Sequence, residues 1–140
     1  MTDYQSLPRA EFGFPGPLRD RLVAAVLSGA KTTTTSLAAG YRVAGEALPR
    51  PGDRSVLVDS ADRPLAVLET VEVRVLPLGE VELRHAVDEG EGHTTLAAWR
   101  ADHEEFWHSA EFRASLGDPE FTVDDRTEVV TERLRVLRRL

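Results

Sequence analysis

A single lysine stands at the head of a run of hydroxyl side chains, and this pairing is the first candidate for chemistry. Of the seventeen basic residues, sixteen are arginine and only Lys31 is lysine. A desolvated lysine can lose its proton and act as a base, whereas arginine stays charged. Four threonines and Ser36 follow it directly. Lys31 and Thr34 therefore have the side-chain types of a base and a nucleophile. They can act as a pair if a turn brings their side chains together.

The other hydroxyl groups of this run suit contacts to phosphate or ribose, which makes Thr33, Thr35 and Ser36 candidates for substrate binding. The alternative is a threonine-rich strand whose hydroxyl groups bond only to nearby backbone. For each of these residues taken singly, the sequence favours the second interpretation.

An acidic, glycine-interleaved run is the second motif: Glu89-Gly90-Glu91-Gly92, followed by His93. Glycine lets the backbone approach a ligand closely or adopt positive φ. Two carboxylates at this spacing can work as acid and base or bind a hard metal ion. The run also fits a solvated turn before a helix, whose N-terminal end favours carboxylates. The two interpretations are evenly balanced on sequence alone.

The four histidines lack the H-E-x-x-H spacing of a metal site. His103 lies on the apolar stripe of a predicted helix and is interpreted as a hydrogen-bonded core residue, with a metal ligand as the alternative. His93, beside Glu91, is the only histidine predicted to lie near the site. Trp99 and Trp107 are predicted core residues, with a wall for base stacking as the alternative.

Two predicted helices and a short helical turn must position these groups. Apolar residues at helical spacing, with proline at the start and glycine at the end, predict a helix over 17–28. The segment 31–36 is predicted to be extended, and 37–44 to form a short helical turn. Thr94 or Thr95 is predicted to cap a second helix. Its apolar stripe is predicted to comprise Leu96, Trp99, His103, Phe106, Trp107 and Ala110.

Strands are predicted over 55–59, 64–75 and 126–136, with a short helix or turn over 78–85. In the second strand, Val71, Val73 and Val75 alternate with charged residues and are predicted to face the core. Helices embedded among about five mainly antiparallel strands indicate an α+β domain. Such strands could curl into a small barrel or half-barrel.

Composition excludes several classes of protein. The chain has 140 residues and no cysteine, so disulfides and thiolate zinc sites are absent. No apolar run suits a signal peptide or membrane anchor, so a cytoplasmic location without membrane partners is expected. The net charge of −7 comes from the second half of the chain. This charge argues against double-stranded DNA and favours a small ligand or a short single strand. It leaves oligomeric state open.

The motifs together resemble the ASCH family, and in particular its longer branch. The resemblance rests on a helix ending in glycine, then Gly29-x-Lys31-x-x-Thr34, then strands, then the acidic run with Trp99 and His103 downstream. The longer branch typically carries G-x-K-T-A-T-x-S and E-G-E-G-D runs. The similarity extends over most of the chain, which is interpreted as one ASCH-like domain over 1–140 with its core over about 12–136.

This resemblance implies a PUA-like, mainly antiparallel β-barrel with flanking helices. It also implies a role with RNA or its modified nucleosides. Some members hydrolyse N4-acetylcytidine with a lysine, a threonine three residues on and an acidic-loop glutamate, which correspond to Lys31, Thr34 and Glu91. Other members are reported to cleave single-stranded RNA with a divalent metal. Compact amidohydrolase members carry arginine where this chain has Ser36, and the acidic loop ends in His93 instead of aspartate.

The leading hypothesis is amide hydrolysis of an N4-acylated cytosine nucleoside, without a cofactor or metal. Lys31, Thr34 and Glu91 are its predicted catalytic residues. The predicted substrate-binding residues are Thr33, Thr35, Ser36, Arg42, Glu89 and His93. The rival is a single-stranded RNA-binding domain, or a divalent-metal ribonuclease. Its local cationic face would comprise Arg19, Arg21, Lys31, Arg42 and Arg54.

Overall fold

The computed structural model describes residues 4–140 and consists of one sheet with helices packed on it. Its strands are β1 (Arg9–Ala10), β2 (Thr33–Leu37), β3 (Arg54–Val58), β4 (Pro64–Pro77) and β5 (Glu128–Arg139). Its α-helices are α1 (Pro17–Ser28), α2 (Ala38–Ala44), α3 (Leu83–Asp88), α4 (Leu96–Trp107) and α5 (Ala110–Leu116). None of the helices in this described part is long and apolar enough to cross a membrane.

The sheet is open, with the strand order β1-β3-β4-β5-β2. Three of its pairings are antiparallel, and only β1 runs parallel to its neighbour β3. The α+β class is therefore confirmed, but where the resemblance implies a β-barrel, the sheet of residues 4–140 is open. The two edge strands β1 and β2 do not pair with each other, and β1 is only two residues long. An edge of two residues offers too few hydrogen bonds to close a sheet.

Two hydrophobic clusters lie on opposite faces of the sheet. The first packs α1 onto β3 and β4 and is built from Val23, Val26, Leu57, Ala66 and Leu68. The second packs α3 and α4 near β2 and β5 and includes Leu37, Ala86, Trp99, Trp107 and Val129. Strand β2 contributes Leu37 to the second cluster.

The predicted helix boundaries follow from their capping residues. Helix α1 has the predicted bounds and ends at Gly29, which adopts left-handed φ of 87°. Thr95 caps α4 by accepting a hydrogen bond from the Ala98 amide at 3.1 Å. Helix α4 stops at Trp107, so Ala110 belongs to α5, a helix that the sequence did not predict. Ser109 caps α5 with its side chain and so breaks the expected continuous stripe.

The prediction that three alternating valines of β4 face the core is wrong. Val71 and Val75 are 44% and 43% exposed. The register of β4 against β5 shifts between Thr70 and Glu72, where the strand bulges. Beyond this point β3 no longer pairs with β4, so this half of the strand has β5 as its only strand neighbour in the described structure. Alternation in the sequence does not reveal where a neighbouring strand ends.

Candidate active site

Lys31 is held in the interior directly after α1. The glycine at the helix end turns the chain, and the Lys31 amide donates a hydrogen bond to the Ala25 carbonyl at 3.0 Å. The lysine is only 4% exposed. Its Nζ donates to the Thr33 carbonyl at 2.8 Å and lies 3.9 Å from Glu89 Oε1. The amine therefore has one close neutral acceptor and one carboxylate at the outer limit of an ion pair.

Glu89 is the centre of the cluster, and it is 1% exposed. Its Oε1 lies 3.1 Å from His103 Nε2, and its Oε2 lies 3.2 Å from His85 Nε2. The Thr35 hydroxyl donates to Oε2 at 2.5 Å. A buried carboxylate needs such a set of donors, because burying it without partners would be very costly. The sheltered cluster thus joins α3, α4 and the free edge of β2.

Gly90 allows the acidic loop to pack against the backbone of Lys31. Its φ is +73°, and a Cβ built there would lie 2.3 Å from the Ala30 oxygen and 2.7 Å from the Lys31 nitrogen. Only glycine permits so close an approach. The Thr32 amide also donates to the Asp88 carbonyl at 2.8 Å, which fixes the same two segments together. The glycine of the motif is therefore explained by backbone contact.

Changing Gly90 to alanine is expected to destabilise the fold more than changing Gly92 to alanine. Both glycines have positive φ, but a Cβ at Gly92 meets nothing within 4 Å. The additional cost at Gly90 is overpacking, which is expected to be about 1–3 kcal/mol. Urea unfolding of the two variants measures this difference. Equal free energies of unfolding would contradict the proposed contact.

Burial and the two neighbouring glutamates shift the pKa of Lys31 in opposite directions. Desolvation lowers the pKa of Lys31, while Glu89 and Glu91 partly raise it again, and the net effect is a lowered pKa. For Glu89, burial would raise the pKa, but hydrogen bonds from His103 and His85 and the charge of Lys31 hold the pKa well below its usual range. Glu89 is therefore ionised, and Lys31 gives up its proton more readily than an ordinary lysine.

The second glutamate of the motif has the opposite character. Burial, together with the neighbouring Glu89 charge, raises the pKa of Glu91 although Lys31 opposes this shift. Burial disfavours the charged form of His103, yet its hydrogen bond to Glu89 keeps the pKa of His103 above its usual value. The two glutamates, two residues apart, thus differ in their affinity for a proton.

Three hydroxyl residues of β2 have distinct environments. Thr33 is buried, and its hydroxyl donates to the His85 carbonyl at 2.9 Å. The Thr34 side chain is partly exposed and lines a cavity of about 1090 Å³, which Lys31, Glu89 and Glu91 also line. Ser36 lines the same cavity, and its hydroxyl lies 3.2 Å from that of Tyr41.

Three of the predicted binding residues, Thr33, Arg42 and His93, do not line the cavity. His93 Nε2 is 2.7 Å from Asp102 Oδ2, and Arg42 is exposed beside Glu128 at 3.8 Å. The expectation that His93 is the only histidine near the site is wrong, because two other histidines contact Glu89.

The expected cationic face is also incomplete. Arg19 is 5% exposed, and its guanidinium donates to the carbonyls of Phe12 and Gly13 at 3.3 and 2.8 Å. Lys31 is equally buried. Of the five proposed cations, only Arg21, Arg42 and Arg54 are exposed in the described structure. This distribution weakens the case for a surface that follows a polyanionic strand.

Comparison with known proteins agrees with the motifs and the fold. A family model described as the ASCH domain matches residues 9–138. The chain belongs to the ASCH domain family. An ASCH domain from Lactobacillus crispatus is similar in structure, with a TM-score of 0.80, 24% identity and coverage of 96% of this chain and 82% of that one. This likeness supports the fold.

A second solved structure is protein EF3133 from Enterococcus faecalis, assigned to family DUF984. It has a TM-score of 0.79 and is 28% identical, covering 92% of this chain and 75% of that one. No curated protein matches the chain significantly. The family assignment is thus confirmed for this ASCH domain, whose sheet is open in residues 4–140.

Several residues of the ASCH site were not found from sequence. His85 stands four residues before Glu89 in the chain and therefore shares its side of a helical turn, a spacing that could have identified it. His103 was recognised as hydrogen-bonded but not as the partner of Glu89. Tyr41 and Glu132 also line the cavity, and no local motif marks either of them.

Proposed function

We propose that this ASCH domain is an amidohydrolase for N4-acylated cytosine nucleosides. The observation that carries the proposal is the buried Lys31, the only lysine of the chain, packed beside Glu89 and facing a cavity that Thr34 also lines. Burial lowers the pKa of Lys31, so its amine gives up a proton more readily than an ordinary lysine, as a general base requires.

In the proposed first step, the neutral amine of Lys31 removes the proton from a nucleophile. That nucleophile is the hydroxyl of Thr34 or a water held beside it, and its oxygen attacks the acyl carbonyl carbon of the substrate. The C–N bond then breaks, and the exocyclic nitrogen leaves as the amine of cytidine after receiving a proton. If Thr34 carries the acyl group, a water molecule releases it as the free acid.

The two glutamates suit two different roles in this scheme. Glu89 is ionised and fixed by both histidines, so it orients Lys31 but cannot easily supply a proton. Glu91 has a raised pKa and lines the cavity, so it suits the donor of the proton to the leaving nitrogen. Neighbouring carboxyl groups whose pKa values are driven apart are the usual arrangement for acid and base tasks.

The free edge of β2 offers donors for the negative charge that develops on the carbonyl oxygen. The Thr32 carbonyl accepts from the Leu134 amide of β5, whereas the Thr33 carbonyl faces Lys31. Alternate residues of an edge strand direct their backbone groups away from the sheet. The amides of Thr33 and Thr35 therefore point to the edge where Lys31 lies, as an oxyanion site requires.

The charge of the cavity favours a neutral nucleoside over a strand of RNA. Acidic residues outnumber arginine and lysine among the residues that line it. A cavity with an excess of negative charge repels phosphate groups. A volume of about 1090 Å³ is ample for a single nucleoside.

A direct assay tests the proposal. Purified protein is incubated with N4-acetylcytidine, and the absorbance change on conversion to cytidine is followed with and without EDTA. We expect turnover that EDTA leaves unchanged and that Thr34→Val reduces. No turnover by the folded wild-type protein would contradict the proposed activity.

One observation favours the second candidate, a divalent-metal ribonuclease. Glu89, Glu91 and His103 each offer a ligand atom, and these atoms lie within 4.8 Å of one another. Carboxylate oxygens suit magnesium or manganese. Against this, Lys31 Nζ lies only 3.9 Å from Glu89, where it would oppose a bound cation. Cleavage of a labelled single strand that EDTA removes would favour this candidate.

A further inference from the structure

The second half of β4 has one edge without a neighbouring strand. Strand β3 pairs with β4 only as far as Glu69, and Thr70 then exchanges backbone hydrogen bonds with Gly52 and Asp53, both at 2.8 Å. Over residues 71–77, β4 has only β5 as a strand neighbour in the described structure. We call this stretch the 71–77 edge. An unpaired strand edge of this length is a template on which another strand can add.

The side chains of this edge are open to solvent and carry both signs of charge. Val71 and Val75 are 44% and 43% exposed. Glu72 and Arg74 are exposed as well, and neither forms an ion pair with another residue of 4–140. Successive side chains of a strand point to opposite faces of the sheet. The edge therefore presents apolar side chains on one face and two opposite charges on the other.

The direction of the backbone groups follows from the neighbouring strand. The Leu134 amide of β5 donates to the Thr32 carbonyl, so the backbone groups of Leu134 point away from β4. Backbone groups of successive residues in a strand point to alternate edges. Those of Thr131 therefore point to β4, where Thr131 is the register partner of Arg74. The backbone groups of Arg74 are thus directed to β5, and those of the valines on either side of it are directed to the open edge.

Only one antiparallel register of two such edges brings opposite charges together. A register centred on Val73 places Glu72 opposite Arg74 of a second copy and Val71 opposite Val75, and it aligns residues whose backbone groups face each other. Centred on Glu72 or on Arg74, the register would set that residue opposite the same residue of the second copy. Like charges in directly opposite positions destabilise a strand pair. The sequence of this edge is therefore complementary to itself.

Charged side chains and bulges on an edge strand often serve to prevent pairing. Like charges would serve that purpose here, whereas a glutamate and an arginine two residues apart attract each other across a two-fold axis. The contact between two such short edges is small, and small interfaces are typical of transient association. The expected complex is therefore a weak dimer whose population depends on concentration.

We infer that the 71–77 edge joins two copies of this chain into an antiparallel, two-fold dimer with a continuous sheet. Two ion pairs form across the axis, each between Glu72 of one copy and Arg74 of the other. None of the residues 71–77 lines the cavity. The inference is therefore independent of the proposed function, and failure of either leaves the other standing.

Sedimentation velocity of the full chain over a range of concentrations tests this inference. We expect the wild-type mass to rise from the 15.5 kDa of one chain towards twice that value. Glu72→Arg and Arg74→Glu each turn both ion pairs into contacts between like charges, which should weaken association by about tenfold or more. Glu120→Arg makes the same change of charge as Glu72→Arg at an exposed site away from the edge, and it should dimerise as the wild type does.

Mixing the two charge-reversal variants tests the register itself. In an equimolar mixture of Glu72→Arg and Arg74→Glu, arginine faces glutamate at both crossed positions, so we expect association to return. Circular dichroism verifies that each variant is folded, as substitutions at exposed positions should be. A wild-type protein that is monomeric at every concentration would overturn the inference. So would a dimer that both reversals leave intact, or two folded monomeric variants that do not associate when mixed.

Discussion

Replacing Lys31 with alanine is expected to lower kcat/KM for N4-acetylcytidine by about 10²–10⁴-fold, the usual contribution of a general base. The reason is that the nucleophile loses the group that accepts its proton. Lys31→Arg is the decisive companion, because it keeps the positive charge but cannot act as a base. Both variants are expected to be inactive, with kcat more affected than KM.

Folding controls are needed to show that a loss of activity is not caused by unfolding. Glu89 retains its hydrogen bonds to Thr35 and the two histidines when Lys31 is absent, so circular dichroism and cooperative unfolding should persist. Arginine is larger than lysine and must fit the same buried site, so the unfolding curve of the Lys31→Arg protein must be measured as well. Substantial hydrolysis by a folded Lys31→Arg protein would refute the role of the lysine as base.

Changing Glu89 to glutamine is expected to reduce both activity and stability, whereas Glu91→Gln is expected to reduce activity alone. Glu89 is buried and ionised among three donors, and loss of charged hydrogen bonds costs about 1.5–3 kcal/mol each. Burial raises the pKa of Glu91, so the fold favours its charge less, and replacing it with a neutral side chain of the same shape is expected to cost little stability. Urea unfolding and kcat/KM of the two variants measure the contrast.

The stability lost in Glu89→Gln should also depend on pH. A carboxylate whose folded pKa is lowered stabilises the fold above its ordinary pKa of 4.5, and this contribution is lost as the pH falls below that value. The difference from wild type is therefore expected to be largest near neutral pH and to shrink in acid. If Glu91→Gln were the more destabilising variant at neutral pH, the assignment of Glu89 as the structural centre of the site would fail.

Much of the local structure could be predicted because capping residues and periodicity act over short distances. Pro17 and Gly29 bound α1 at the predicted residues, and Thr95 caps α4 as expected. The family could be predicted because Lys31 and the acidic run stand in a specific order. Whether the sheet is open or closed could not be predicted. It depends on whether two edge strands that are far apart in the sequence pair with each other, and no local sequence pattern encodes this.

The residues of the site could be predicted only in part. Lys31, Thr34 and the acidic run do line one cavity, but the glutamate in contact with the lysine is Glu89. The motif E-G-E-G is nearly symmetric, so sequence does not reveal which carboxylate turns inward. The close packing of Gly90 on the Ala30–Lys31 peptide fixes that choice, and it depends on tertiary contact alone.

The pKa of Lys31 is the measurement that tests the central claim most directly. Because the chain has a single lysine, a sample labelled with ¹⁵N in lysine side chains gives one Nζ resonance, and its pH titration needs no assignment. The structure predicts a midpoint below the ordinary 10.5 for the folded protein, and a lower midpoint still in Glu89→Gln. A midpoint at or above 10.5 would mean that the amine is not desolvated, and would contradict its role as a base.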